Sequence, residues 1–325
     1  MNILVCGGAG YIGAHMCKLL AAQGHSVTVF DNLSTGHAEA VHWGELIRGD
    51  LLVRDDIDRA LRLRAYSAVM HFSARSLVGE SVNRPDLYYQ NNVTGTANLL
   101  DAMVAHGVKT FIFSSTAAIY GMPQYTPIDE QHPKAPINPY GNTKLMVETM
   151  LADYDAAFGL RSVALRYFNA AGADPEGAIG ENHDPETHLI PNVLKSVLNQ
   201  STHPLKVFGN DYETPDGTCV RDYIHVADLG DAHLKALDYL LQGGKTDAFN
   251  LGYGKGFSVL DVINSASKVT GREISYSVVA RRAGDPAVLV ASAAKARTTL
   301  GWTPKYTDLG EIIETAWRWH QTQHG

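Results

Sequence analysis

Asn2-Ile3-Leu4-Val5-Cys6-Gly7-Gly8-Ala9-Gly10-Tyr11-Ile12-Gly13 is a short apolar run broken by glycines that opens into a segment of helical period. An apolar run of this length bounded by glycine has the pattern of a buried strand. The helical segment from Ile12 to Gln23 and a second apolar run from Ser26 to Phe30 complete a strand-helix-strand unit. This alternation predicts an α/β fold, a doubly wound parallel sheet of the Rossmann kind. Gly7, Gly10 and Gly13 stand in a GxxGxxG spacing. Glycines there let the backbone turn tightly and approach a pyrophosphate, whose charge rests on the free N–H groups at the helix start. A plain strand-to-helix turn would use the same residues, so the end of the second strand decides. Asp31 stands there, 18 residues after Gly13, where a carboxylate accepts bonds from both adenine-ribose hydroxyls and repels a 2′-phosphate. The expected cofactor is NAD rather than NADP. Asp50, at the expected end of a third strand, is either an adenine ligand or an exposed loop acid.

The chain outside this unit bounds the reading. With 325 residues it is long enough for one large domain or two ordinary ones, and 45% hydrophobic against 19% charged residues exclude disorder. Lys plus Arg number 27 against 34 Asp plus Glu, a net charge of -7 that repels phosphate backbones, and no basic patch overrides it. A nucleic-acid partner is therefore not expected. Cys6, Cys17 and Cys219 form an odd, sparse set with no CxxC, which fits the reducing cytoplasm, and no metal site is expected. The N-terminus lacks a basic leader and no apolar run is long enough to span a bilayer, so no membrane partner is expected.

Further strands are predicted at Ala68 to Phe72, Thr110 to Ser114 and Ser162 to Arg166. Two long helices, Pro85 to His106 and Pro139 to Phe158, each carry proline near the first turn and glycine just past the end. After Asn169 the composition shifts, and Gly172 to Pro185 is dense in Gly, Asp, Glu and Pro. The domain boundary is placed there: residues 1–169 form the dinucleotide domain and 170–325 a smaller α/β substrate domain. Residues 226–253, a last helix and strand, are expected to return to the first sheet.

Tyr140-Gly141-Asn142-Thr143-Lys144 opens the second long helix, so Tyr140 and Lys144 lie one turn apart on one face. A free tyrosine titrates near pH ~10, but a lysine ammonium and an oxidised nicotinamide would both favour its phenolate. Isolated Tyr/Lys pairs at this spacing are common on helix surfaces. The context is Phe113-Ser114-Ser115-Thr116, which ends a strand and presents hydroxyls at the carboxyl edge of the sheet, where doubly wound folds bind ligands.

The glycine loop, Asp31, Thr116 and the Tyr140/Lys144 pair together resemble the extended short-chain dehydrogenase/reductase family. Longer stretches resemble its nucleotide-sugar 4-epimerase branch: His71 to Ala74, Val78 to Val82, Tyr88 to Val93, Leu165 to Asn169, Phe208 to Tyr212 and, the most specific, Asp216 to His225. The resemblance covers essentially the whole chain. It implies catalytic roles for Tyr140, Lys144 and Thr116. It places NAD on Gly7, Gly10, Tyr11, Ile12, Gly13, Asp31, Asn32, Asp50, Leu51, Phe72, Ala74, Asn91, Lys144 and Phe168. The nucleotide sugar falls, beside Thr116 and Tyr140, to Asn169, Leu189, Phe208, Arg221, Arg282, Asp285 and Leu289. Arginine suits a diphosphate, since guanidinium gives planar paired donors. Phe208 stacks on uracil or packs in a core, and Tyr167 is left as structural. The implied reaction interconverts UDP-galactose and UDP-glucose through a transient 4-keto sugar with tightly held NAD, in a homodimer formed through the two long helices.

Departures from the family pattern are Cys6 for a common threonine, Thr116 for a common serine, Ser76 for a lysine found in some members, and His188 for a common asparagine. A nucleotide-sugar 4,6-dehydratase would carry an acid pair just after the active threonine, where this chain has Ala117-Ala118. A cofactor-sensing regulator without catalysis could dispense with Tyr140. By the resemblance, Leu289 falls where residue size limits the sugar end of the pocket; leucine there implies some activity on UDP-N-acetylglucosamine unless Leu289 merely packs in a core.

Overall fold

The central sheet is parallel, in the strand order Asp247–Leu251, Arg161–Tyr167, Thr110–Thr116, Ala68–His71, Asn2–Cys6, Ser26–Asp31 and Glu45–Arg48. It is seen in a computed structural model that describes residues 1–198, 204–282 and 284–323. The strands read as continuous apolar runs because both faces are covered. Ile3 and Val5 point into one core with Met16, Leu20, Leu229 and Leu237, whereas Leu4 and Cys6 point into the other with Leu99, Met103, Val147 and Leu151. The period-two alternation of a strand thus feeds two hydrophobic layers. From Asn2–Cys6 the chain builds the sheet first to one side and then to the other. That reversal opens a crevice beyond the carboxyl ends of the strands.

The Pro139–Phe158 helix has the expected bounds, with the Asn138 side chain accepting from Gly141 N at 2.8 Å and Gly159 in the left-handed conformation at its end. The single regular helix expected from Pro85 to His106 is corrected. It consists of α-helical Pro85–Tyr88, a π-helical Tyr89–Thr94 and α-helical Gly95–Ala105. Buried Asn92 sits in the widened segment. Its carboxamide accepts from Arg75 N (2.9 Å) and donates to Arg75 O (3.0 Å) and the Thr143 hydroxyl (3.1 Å), contacts that bind the segment to the neighbouring helix. The Thr110 strand runs two residues beyond the expected Ser114, because Ser115 and Thr116 pair with Arg166 and Tyr167.

Beyond Tyr167 the strands are short: Asn169–Ala171 beside Tyr223–His225, Leu205–Phe208 beside Tyr276–Val279, and Val220–Arg221 between Phe257–Ser258 and Val288–Leu289. Lys18 ties this part to the helix after the glycine loop through an ion pair with Asp174 at 2.7 Å. No helix among the described residues is long and apolar enough to cross a membrane.

Candidate active site

Two of the three spaced glycines are demanded by the protein itself. Gly7 has φ +81, and a Cβ there would lie 2.5 Å from Ser73 N; one on Gly13 would lie 2.1 Å from Gly7 O. Gly10 differs, since its nearest neighbour would be 3.4 Å away, and it begins the Tyr11–Ala22 helix with no side-chain cap. The chain therefore keeps open space in front of a helix N-terminus, the cradle a pyrophosphate requires. Asp31 is buried, and its carboxylate accepts from Ala9 N (3.0 Å) and Leu33 N (2.9 Å). Burial raises its pKa and the two backbone donors oppose the rise. Each oxygen retains a lone pair for a ribose hydroxyl.

The other expected cofactor contacts gather at the same strand ends. Asn32 donates to Asp50 at 3.1 Å, which makes Asp50 a tie between two strand ends rather than a free loop acid. Leu51 is buried and its carbonyl accepts from Asn98. Tyr11 donates to Gly172 O at 2.6 Å, and Ile12 packs on the main core. Phe72, with Ala74 just beyond it, leaves the Ala68–His71 strand and sets its ring 4.8 Å from that of His233. Asn91 lies in the π segment, where it donates to Asn92.

Thr116, Tyr140 and Lys144 are brought together. A Cβ on Gly141 would lie 2.5 Å from Ala118 O, so glycine allows the helix start to press against the turn after Thr116. Tyr140 is half-buried with Thr116 beside its hydroxyl; burial raises its pKa and the Thr116 hydroxyl opposes the rise only in part. Lys144 is buried and donates to Ser114 O at 2.8 Å, with its Nζ 4.8 Å from the centre of the Phe113 ring. Burial brings its pKa down to about 7, against the charge of Glu148. The chain's own groups thus leave Tyr140 protonated at neutral pH, so a phenolate needs a further positive charge beside it.

On the far side of the crevice the expected sugar ligands form pairs. Arg221 is ion-paired with Asp285 and stands in register with Leu289 across two strands. Arg282 covers the Phe208 ring at 3.9 Å, a third arrangement besides core packing and base stacking. Asn169 donates from its side chain to Asp222 O at 3.2 Å. Leu289 and Phe168 pack against the cluster of Ala117, Ile119, Tyr120 and Ile128, which includes the turn that follows Thr116. Leu189 opens the Leu189–Val197 helix, half-buried against the main core.

Sequence reasoning missed a supporting layer. Glu148, one turn beyond Lys144, is nearly buried and holds Arg166 (2.6 Å) and the Ser115 hydroxyl (2.6 Å). The signal was its position on the same face at i+4. Tyr167 shares a short hydrogen bond with Ser114, whose carbonyl receives Lys144.

The family model described as "NAD dependent epimerase/dehydratase family" matches residues 3–252. The chain is 53% identical over 323 residues to a UDP-glucose 4-epimerase of Rhizobium meliloti (strain 1021), covering 99% of this chain and 98% of that one. Among solved structures it resembles the UDP-glucose 4-epimerase of Brucella ovis in complex with NAD, at 52% identity, TM-score 0.95 and 97% coverage of both chains. It also resembles the UDP-Glc/GlcNAc 4-epimerase of Campylobacter jejuni, at 41% identity, TM-score 0.86 and 99% coverage of both chains. With matches of this extent, and with a glycine-lined helix start, buried Asp31 at the end of the second strand and a Thr/Tyr/Lys cluster at the same sheet edge, the chain belongs to the NAD dependent epimerase/dehydratase family.

Proposed function

We propose that the protein is an NAD-dependent isomerase that interconverts UDP-galactose and UDP-glucose through a transient 4-keto sugar. The observation that carries this is the cluster of buried Thr116 and Lys144 with half-buried Tyr140 at the carboxyl edge of a parallel sheet. Ala117 and Ala118 follow Thr116, so the acid pair a dehydratase needs for eliminating water is missing from that turn. Residues 1–169 with 226–253 serve the cofactor, and 170–325 otherwise serve the nucleotide sugar. When bound, NAD supplies the hydride acceptor for C4 and returns the hydride, with no net redox change. Thr116 holds the sugar 4-oxygen by its hydroxyl, and Tyr140 takes the proton from that oxygen and gives it back. Arg221 and Arg282 grip the diphosphate, Arg221 exchanging Asp285 for phosphate oxygens, so that remote binding energy retains the keto sugar while it turns. The exposed apolar side chains of Tyr89, Met146 and Phe158 on the long helical segments support a homodimer through them, and three buried free cysteines suit the cytoplasm. The test is incubation with UDP-galactose without added NAD. Formation of UDP-glucose is expected; a protein that carries NAD and forms none would overturn the proposal.

Asp31→Asn keeps one oxygen for the loop donors and removes the charge that repels a 2′-phosphate. The expected result is an NADP/NAD affinity ratio raised by at least about ten-fold, measured by binding to protein stripped of cofactor. An unchanged ratio moves the discrimination to another residue.

Leu289 is smaller than tyrosine and packs against the cluster that includes the turn after Thr116. Some conversion of UDP-N-acetylglucosamine is expected, slower than that of UDP-glucose, and Leu289→Tyr should suppress only the N-acetylated sugar. Rejection of that sugar by the unaltered protein would make Leu289 a packing residue.

A further inference from the structure

Glu181, His183, Glu186 and His188 lie within one turn-rich segment and bring one ligand atom each to within 4.8 Å of the others. His188 Nδ1 is 2.7 Å from Glu181 Oε1 and 3.2 Å from Glu186 Oε1, and His183 Nδ1 is 3.2 Å from Glu181 Oε1. A tetrahedral zinc with bonds of about 2.0–2.1 Å spaces its ligand atoms about 3.3 Å apart, so these separations lie around the required value. A second observation points the same way. The Glu186 side chain is 4% exposed, yet its buried Oε2 has no hydrogen-bond partner and stands 3.9 Å from His183 Nδ1, too far for a bond. A buried carboxylate oxygen without a donor is costly, and a cation among the four groups removes the cost.

From this geometry we infer that Glu181, His183, Glu186 and His188 form a binding site for one divalent transition-metal ion of the zinc class. Two carboxylates and two neutral imidazoles carry the charge that balances a divalent cation, and nitrogen with oxygen donors suits zinc. Four protein ligands make the site closed, hence structural rather than catalytic. The ion would fasten two parts of the fold. The His183 ring meets the Tyr11 ring edge-on at 6.3 Å, His37 bonds Asn182 O at 2.9 Å, and His188 leads directly into the Leu189–Val197 helix. In the sequence the site is carried by the pattern Glu-x-His-x-x-Glu-x-His over residues 181–188.

Untagged full-length protein with its cofactor, dialysed against metal-free buffer, is titrated with zinc against a chromophoric chelator and, in parallel, with cobalt. One zinc per chain at micromolar affinity or tighter is expected, with the absorption bands of tetrahedral cobalt and a melting temperature that rises with zinc. Glu186→Gln keeps the Oε1 that accepts from Thr187 N and His188 N, so the turn persists, and its zinc affinity should fall at least about ten-fold. The His183→Ala/His188→Ala double variant should lose at least about a hundred-fold. If that variant fails to fold by circular dichroism, Glu186→Gln decides. No saturable binding by the unaltered protein, or binding that the folded variants retain undiminished, overturns the site.

Discussion

Replacing Tyr140 with phenylalanine should lower turnover by roughly four powers of ten, the upper end of what a positioned proton acceptor contributes. The ring would stay where it is. It packs edge-on to Tyr88 at 6.5 Å and begins a helix whose start is set by Pro139 and by the Asn138 cap, none of which the hydroxyl touches. NAD and UDP should therefore bind as before, and the melting temperature should move little, because the ring packing and the helix start are kept. The chemical step fails for a separate reason. Lys144 stands in a water-poor pocket against the Phe113 ring and titrates at about 7, so its charge is only partly present at neutral pH. With phenylalanine at position 140, the proton acceptor assigned to the sugar 4-hydroxyl beside Thr116 is gone. The measurement is single-turnover conversion of UDP-galactose together with equilibrium binding of UDP. Turnover within a few-fold of the unaltered protein removes Tyr140 from the role.

The parts legible in the sequence were those in which one residue type answers one local demand. Gly7 and Gly13 are glycine because a Cβ would collide with backbone, and Pro139 with Gly159 bounds a helix that forms with those ends. Tyr140 and Lys144 were legible because helical period places them together. What was not legible depends on contacts between distant segments. The π segment exists where Asn92 reaches both Arg75 and Thr143, and no local pattern announces it. Asp50 reads equally as an adenine ligand or a loop acid, and its bond from Asn32, at the end of the neighbouring strand, is not visible in the local pattern. The charge balance at Lys144 escapes for the same reason: the sequence supplies an ammonium, but only burial decides that its pKa falls, and only the fold places Glu148 between it and Arg166. Tyr167, read as structural, meets Ser114 at the base of the same cluster because two strands pair in register.

Thr116 separates chemistry from folding in a way that can be read from two substitutions. Its hydroxyl does two things in the structure: it accepts from Ala118 N at 3.1 Å, capping the turn Ala117–Tyr120, and it meets the Tyr140 hydroxyl. Thr116→Ala loses both. The lost cap should cost about 1 kcal/mol of stability, and the lost orientation and proton contact should slow the hydride step by about two to four powers of ten. The two losses differ in magnitude, since 1 kcal/mol is only a factor of about five, so destabilisation cannot account for the rate. Thr116→Ser restores an oxygen at the same place and removes one methyl from a residue that lies beside the cluster of Ala117, Ile119 and Tyr120. It should recover the cap and bring the rate to within about ten-fold of the unaltered protein. Equal damage from alanine and serine would mean that the methyl, and hence the packing of this turn, is what the reaction requires. A rate loss in alanine with no change in melting temperature would place the hydroxyl wholly in the chemistry and leave Ala118 N to find another acceptor.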